Sequence, residues 1–422
     1  MLISYSVENV YSFKESTTLD MKATSLKAHS YSLLEYDKYK LLPVVAIYGA
    51  NASGKTNFIK GLNILVTAVS GKDISISSFA LNSKENMNNV CIISIDFLIN
   101  HNFNYHKYSY LSCKYIIWIN PYNNKYVKEE LYIKNLNSKI SLLYGREWIN
   151  DKWTLNLGTM KLAKEAKKEI EYVDEMEKYQ NGLLLTVLGK RAQHLFFKNI
   201  YAWITKNINY HDIHTHQSSF SNYYENSELV MFYNQYKKEL TSFIRSINPL
   251  IDDFSLLDVN NQQPLQDQQM KIPFFSYLAT SNDFSKNIHI TINESNGIWT
   301  ALHLFPSLYS ILQFGGILII DEMENSLHPL LMANIINMFT SPETNPGKGQ
   351  LIFTTHNALI MDKKFFRKDE IVFVEKDSST GESILYRLFD IEGVRNDIDF
   401  NKSYIYGAFG ALPQFHENEE DA

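Results

Sequence analysis

Gly49-Ala50-Asn51-Ala52-Ser53-Gly54-Lys55-Thr56 is a complete G-x-x-x-x-G-K-[ST] stretch, and its surroundings decide the fold. Upstream runs the apolar segment Leu41-Leu42-Pro43-Val44-Val45-Ala46-Ile47-Tyr48, which reads as a strand. Downstream, Asn57-Phe58-Ile59-Lys60-Gly61-Leu62 is compatible with a helix. A strand, a glycine-rich turn and a helix N-terminus in that order form a cradle for phosphates. Backbone N–H groups of residues 49–57 wrap the phosphate oxygens, the helix dipole favours their charge, Lys55 reaches the β- and γ-oxygens, and Thr56 can hold Mg2+. The expectation is an α/β nucleotide-binding protein.

Gly315-Gly316-Ile317-Leu318-Ile319-Ile320-Asp321-Glu322 lies far along the chain. An uninterrupted aliphatic run bounded by glycines reads as a strand buried on both faces of a parallel sheet. Asp321 then falls at the strand's C-terminal edge, where it can share the Mg2+ carried by Thr56. Glu322, one residue on, is placed to orient and deprotonate an attacking water. A third short apolar strand, Gly349-Gln350-Leu351-Ile352-Phe353-Thr354-Thr355-His356-Asn357, puts His356 at its tip, where it can bond the γ-phosphate or the water. Between these strands, His328-Pro329 reads as the cap and first residue of a helix over residues 330–339.

Taken in order, these pieces resemble a known group. Asp321-Glu322-x-Glu324-Asn325-x-Leu327-His328-Pro329 followed by Thr354-Thr355-His356-Asn357 is similar to the ABC-type ATPase heads of the SMC/RecF/OLD class, and within it to the RloA/AbiLi-like bacterial anti-phage ATPases. The opening Val7-Glu8-Asn9-Val10-Tyr11-Ser12-Phe13-Lys14 and the closing Tyr406-Gly407-Ala408-Phe409-Gly410-Ala411-Leu412-Pro413 belong to the same likeness, which spans roughly residues 1–135 and 285–415. It implies a P-loop NTPase head with a mixed central sheet, flanking helices and an antiparallel β lobe, using ATP and Mg2+. It also implies a signature loop, here Asn293-Glu294-Ser295-Asn296-Gly297-Ile298, in which Ser295 and Gly297 contact the nucleotide of the opposite protomer. A helix over 299–312 follows, with Ser295 as its cap. Ile298 stands where the family usually has Thr. A homodimer or higher even-numbered homo-oligomer follows from the likeness, as does a separate nuclease or toxin effector and a phage component as trigger. The alternative it leaves open is a RecF/SMC-like DNA maintenance ATPase that binds duplex.

Composition narrows the class. The chain has 422 residues, 45% hydrophobic and 20% charged, enough for a large core. No window approaches a membrane span and no signal segment precedes the first strand, so a cytoplasmic protein is expected. Cys91 and Cys113 read as reduced core residues. A net charge of −6 does not indicate a nucleic-acid partner.

The expected organisation is a split head: residues 1–150 with the phosphate loop and β lobe, a helical insertion over 151–280, and the rest of the head over 281–422. Strands are expected over 91–97, 108–118 and 130–133. Helices are expected over 161–179, 183–208 and 225–247, and an exposed Gln-rich loop over 260–271. Three imidazoles, His211, His214 and His216, have metal-binding chemistry, but no completing ligand is evident and a polar loop between helices is the plainer reading. Asp397-Ile398-Asp399 mimics paired nuclease acids, yet too little chain follows for such a domain. The Ser12-Phe13-Lys14 turn is the candidate contact for adenine.

Overall fold

The computed structural model describes residues 1–77, 90–100, 110–134, 139–158, 164–212, 227–259, 270–277, 295–325, 327–395 and 398–413. The chain begins with β1 (Leu2–Glu8), β2 (Thr17–Asp20), the hairpin of β3 (Leu34–Tyr36) and β4 (Tyr39–Leu41), and β5 (Val44–Tyr48), which runs through the phosphate loop into α1 (Lys55–Val69). β6 (Cys91–Asn100), β7 (Tyr110–Asn120), β8 (Lys125–Lys134), β9 (Ser141–Ile149) and β10 (Lys152–Leu157) follow. Next come α2 (Lys164–Met176), α3 (Leu184–Arg191), α4 (Leu195–Lys206), β11 (Ile208–Asp212), α5 (Ser227–Gln235), α6 (Lys237–Ile247), β12 (Ile251–Val259) and β13 (Met270–Tyr277). The last part holds α7 (Asn296–Phe314), β14 (Ile317–Asp321), α8 (Pro329–Thr340), β15 (Gln350–Thr355), β16 (Ile371–Lys376), β17 (Ser383–Arg387) and α9 (Phe400–Ile405).

Every residue of β5, β14 and β15 is buried, which is why their sequences lack polar alternation. They lie inside a six-stranded sheet of order β11-β14-β15-β5-β16-β17, parallel throughout except for the β16–β17 pair. β15 separates β5 from β14. The phosphate loop and the acidic strand end therefore come from strands two apart, with the tip of β15 between them. A second, antiparallel sheet of order β10-β9-β8-β7-β6-β1-β2 forms the lobe. α1 fills the space between the sheets: its Phe58, Leu62 and Leu65 share one core with Val45 and Ile47 of β5 and Ile93 and Ile95 of β6. On the other face, α7 and α8 cover Val44, Ala46, Leu318 and Ile320. This is an α/β fold of the P-loop NTPase kind.

Two buried polar side chains lock these layers together. Glu129, fully buried on β8, accepts from Tyr115 and Tyr144 hydroxyls at 2.8 Å and from the Leu184 and Leu185 N–H groups at 2.7 and 3.0 Å. Its carboxylate thus ties the lobe to the positive end of α3. Gln350, also fully buried, accepts from Leu2 N–H at 2.8 Å and donates to Leu2 O at 3.1 Å and Leu42 O at 3.2 Å. Gln350→Leu strands these backbone groups, and we expect a loss of about 2–3 kcal/mol in urea unfolding. A change below about 0.5 kcal/mol would show that water reaches them.

The middle of the chain differs from its expected form. The continuous helix over 183–208 is two helices and a strand. Gly189 lets α3 meet α4 closely, since a Cβ there would lie 2.2 Å from the Tyr201 Cβ, and His194 caps α4 by accepting from Phe196 N–H at 3.3 Å. Ile208–Asp212 then leaves the helical layer and pairs in parallel with β14, Ile208 opposite Ile317 and Asp212 opposite Asp321. The stretch 225–247 is likewise split, with its described part forming α5 and α6. The insertion expected to be helical also contains β10, which pairs with β9, and the β12–β13 hairpin; Met270 and Lys271, expected in a loop, belong to β13. Residues 260–269 lie outside the described residues. The expected strands of the lobe are present as β6, β7 and β8, and Cys91 and Cys113 are buried free thiols.

Candidate functional site

The loop between β5 and α1 is shaped by its glycines. Gly54, the N-cap of α1, has φ 112°, and a Cβ there would lie 2.6 Å from Ser383 Oγ and 2.7 Å from Ser12 Oγ. Gly49 is held by close approach, because a Cβ would meet Val374 O at 2.3 Å. Ser383 braces the loop from behind: its N–H donates to Ser12 O at 2.7 Å and its hydroxyl to Ser53 O at 2.6 Å. Ala52 sits in the left-handed region at φ 62°, a conformation a non-glycine residue adopts only when its surroundings impose it.

Lys55 is 4% exposed, and its Nζ donates to Gly49 O at 3.0 Å and Ala50 O at 2.9 Å, so the ammonium sits at the mouth of the loop. Burial pushes its pKa down to about 8, against the opposing pull of Glu324, Glu322 and Asp321. Ser53 Oγ, buried in the same loop, has no protein partner, which leaves a donor suited to a phosphate oxygen. Thr56 and Asp321 are brought together as their sequence roles require, Thr56 Oγ1 donating to Asp321 Oδ1 at 3.1 Å. These two hard oxygens fit Mg2+, and the glycine cradle with its orphaned hydroxyl fits a triphosphate. Burial raises the Asp321 pKa, while the bonds from Thr354 and Thr56 lower it.

Thr354 is a site residue that sequence spacing alone leaves without a role. Its hydroxyl donates to Asp321 Oδ1 at 2.6 Å and accepts from Glu322 N–H at 2.7 Å. The parallel register of β14 and β15, Ile320 opposite Phe353, puts it there. The Glu322 backbone lies at φ 50°, and Asn325 Nδ2 donates to Glu322 Oε2 at 2.5 Å. A glutamate held in the left-handed region by its neighbours marks a position where geometry outweighs strain. His356 reaches the loop from the tip of β15: its Nδ1 lies 3.0 Å from Gly49 O and 3.2 Å from Lys55 Nζ. Lys55, Thr56, Asp321, Glu322 and His356 thus converge at one end of the parallel sheet.

Other sequence candidates fall elsewhere. Ser295 is the N-cap residue of α7, but its side chain makes no cap hydrogen bond, in contrast to the expected role, and neither it nor Gly297 lines the cavity beside the loop. Phe13 is fully buried edge-on against Phe58, with ring centroids 5.3 Å apart, and so cannot stack on a base from this position. Asn57 Nδ2 donates to Ser12 Oγ at 3.2 Å. A cavity of about 1200 Å³ instead leads from loop residues 49–53 past His356 to residues 374–378, walled by Tyr404, Ile405 and residues 411–413. His328 caps α8 as expected, accepting from Leu330 N–H at 3.2 Å. His211 lies on β11 within 2.8 Å of Ser307 Oγ; His214 and His216 are outside the described residues. Among the described residues no group of three or more His, Cys, Asp or Glu could hold a metal. Asp399 caps α9 by accepting from Lys402 N–H at 3.1 Å, which accounts for one of the supposed nuclease acids; Asp397 is outside the described residues. No helix among the described residues is long and apolar enough to cross a membrane.

Residues 178–362 match the family described as "AAA domain, putative AbiEii toxin, Type IV TA system". The matched segment begins in the α2–α3 connection and ends just after His356, so it contains Asp321, Glu322 and His356 but not the phosphate loop. Over that segment the chain is similar to an ATPase-domain family. No curated protein matches the sequence. Among solved structures, the SMC head domain from Thermotoga maritima aligns with 92% of this chain and 98% of its own at 12% identity and a TM-score of 0.38.

Proposed function

We propose that the chain binds and hydrolyses ATP, and that a second copy of it closes the site. The observation that carries this reading is the convergence on one phosphate loop of a lysine, a threonine–aspartate pair and a glutamate with a strained backbone. Lys55 and the loop N–H groups would grip the β- and γ-phosphates, with Ser53 donating a further bond. Thr56 and Asp321 would hold Mg2+, whose charge offsets that of the phosphoryl oxygens. Glu322 takes a proton from water as the water oxygen attacks the γ-phosphorus. The bond from that phosphorus to the β–γ bridging oxygen breaks, leaving ADP and inorganic phosphate. His356 orients the water or the γ-phosphate.

Ser295 and Gly297 of the partner subunit would complete each pocket, so that two ATP molecules hold the pair together and hydrolysis releases it. The exposed Ser295 residue, with its hydroxyl uncommitted to capping α7, supports this role. So do the exposed Leu359, Ile405 and Tyr406, of which Ile405 lines the cavity and the others adjoin its wall residues in sequence. The family match supports a toxin–antitoxin-like setting; the RloA/AbiLi likeness extends the proposal to a cytoplasmic ATPase that responds to a phage component and controls a separate nuclease or toxin effector. A net charge of −6 lends no support to duplex binding.

Light scattering with Mg-ATP tests the closure. The Glu322→Gln protein should double its mass on adding nucleotide, and Ser295→Arg in that background should stay monomeric while still binding ATP. A mass indifferent to nucleotide would contradict the dimer.

A further inference from the structure

Glu324 has a place in this site that neither Asp321 nor Glu322 fills. It lies in the single 3-10 turn Met323–Asn325 that follows β14. Met323 points into the core beneath α8 and is fully buried, so the next side chain turns back toward the strand ends. Glu324 Oε1 accepts from the backbone N–H of His356 at 2.5 Å, joining the exit of the acidic strand to the tip of its neighbour. Glu324 Oε2 is buried and has no hydrogen-bond partner. Its charge also acts on the phosphate-loop strand: it is the largest acidic influence on Lys55 and reaches the buried Tyr48 hydroxyl, the residue before Gly49. One carboxylate therefore touches or influences all three elements that build the site.

We propose that Glu324 is a positioning residue for ATP hydrolysis, fixing the His356 backbone at the rim of the phosphate loop so that the imidazole keeps its place beside Gly49 O and Lys55 Nζ. The assignment rests on the ATPase reading above. A carboxylate with one oxygen buried and the other committed to a main-chain N–H sets the height and rotation of the residue it holds. His356 is the first residue beyond β15, just before the turn capped by Asn357, and its ring position follows from that backbone anchor. The Gln side chain keeps the same acceptor oxygen without the charge, so it separates the bond from the electrostatics.

The test is a double-mutant cycle read on kcat at saturating Mg-ATP, with ATP affinity measured separately by equilibrium binding. Glu324→Ala should lower kcat about 30-fold, since a misplacement of about 1 Å in a catalytic group costs up to about 100-fold. ATP affinity should stay within about threefold, because Glu324 makes no bond to the loop and Lys55 keeps its own bonds to Gly49 O and Ala50 O. Glu324→Gln should recover kcat to within about fivefold of wild type, and Glu324→Ala combined with His356→Ala should be no slower than His356→Ala alone. Multiplicative losses in the double variant, or a Gln variant as slow as Ala, would overturn the positioning role while leaving the ATPase reading intact. A wild-type protein that binds ATP without turning it over would overturn both.

Discussion

Lys55→Ala is expected to lose ATP binding by at least about 100-fold, the equivalent of roughly 3 kcal/mol. The ammonium is already in place at the loop mouth, bonded to Gly49 O and Ala50 O. A cation fixed by the protein gives up little entropy when phosphate oxygens bind it, and hydrogen bonds from such a group are each worth about 1.5–3 kcal/mol. Lys55→Arg should recover little, because a planar guanidinium does not fit a recess shaped around a single ammonium. The removal also takes one positive charge from beside Asp321, Glu322 and Glu324. A modest fall in melting temperature is therefore expected, and circular dichroism separates it from unfolding. Near-normal affinity in a folded Lys55→Ala protein would mean that the loop does not carry the phosphates.

Glu322→Gln should behave in the opposite way, keeping or tightening ATP binding while kcat falls by about 100- to 10,000-fold, the range for removing a general base. The amide keeps the shape and can still accept from Asn325, but it cannot take the proton of an attacking water. Phosphate release under single-turnover conditions reads the loss directly. Turnover within about twofold of wild type would transfer the basic role to another residue.

The parts of the site that could be read from the sequence are those whose physics is local. The 49–56 spacing specifies a turn by itself, and β14 and β15 announce themselves because strands buried on both faces have no solvent side to require polar residues. Ile208–Asp212 gave no such sign. It is an edge strand of five residues, three of them polar, and it continues the apolar spacing of the helix before it. Only its register with β14, a hundred residues away, makes it a strand. Thr354, Glu129, Gln350 and Glu324 were equally illegible as roles, since each acts through partners far off in the chain. Phe13 shows the reverse error: a residue in a suggestive motif turns out to pack against α1. The missing cap bond at Ser295 is a smaller case, in which a favoured residue type occupies the N-cap without using its side chain.

In the proposed site the first and last thirds of the chain hold the same nucleotide, through Thr56 and Asp321. Equilibrium binding of a fluorescent ATP analogue to wild type and Asp321→Ala, each with Mg2+ and with EDTA, is the decisive measurement. The substitution should weaken binding in Mg2+ by about tenfold or more and have little effect in EDTA, because Asp321 contributes through the metal. Equal affinity of the two proteins in Mg2+ would contradict it and would assign the acidic strand end to another purpose.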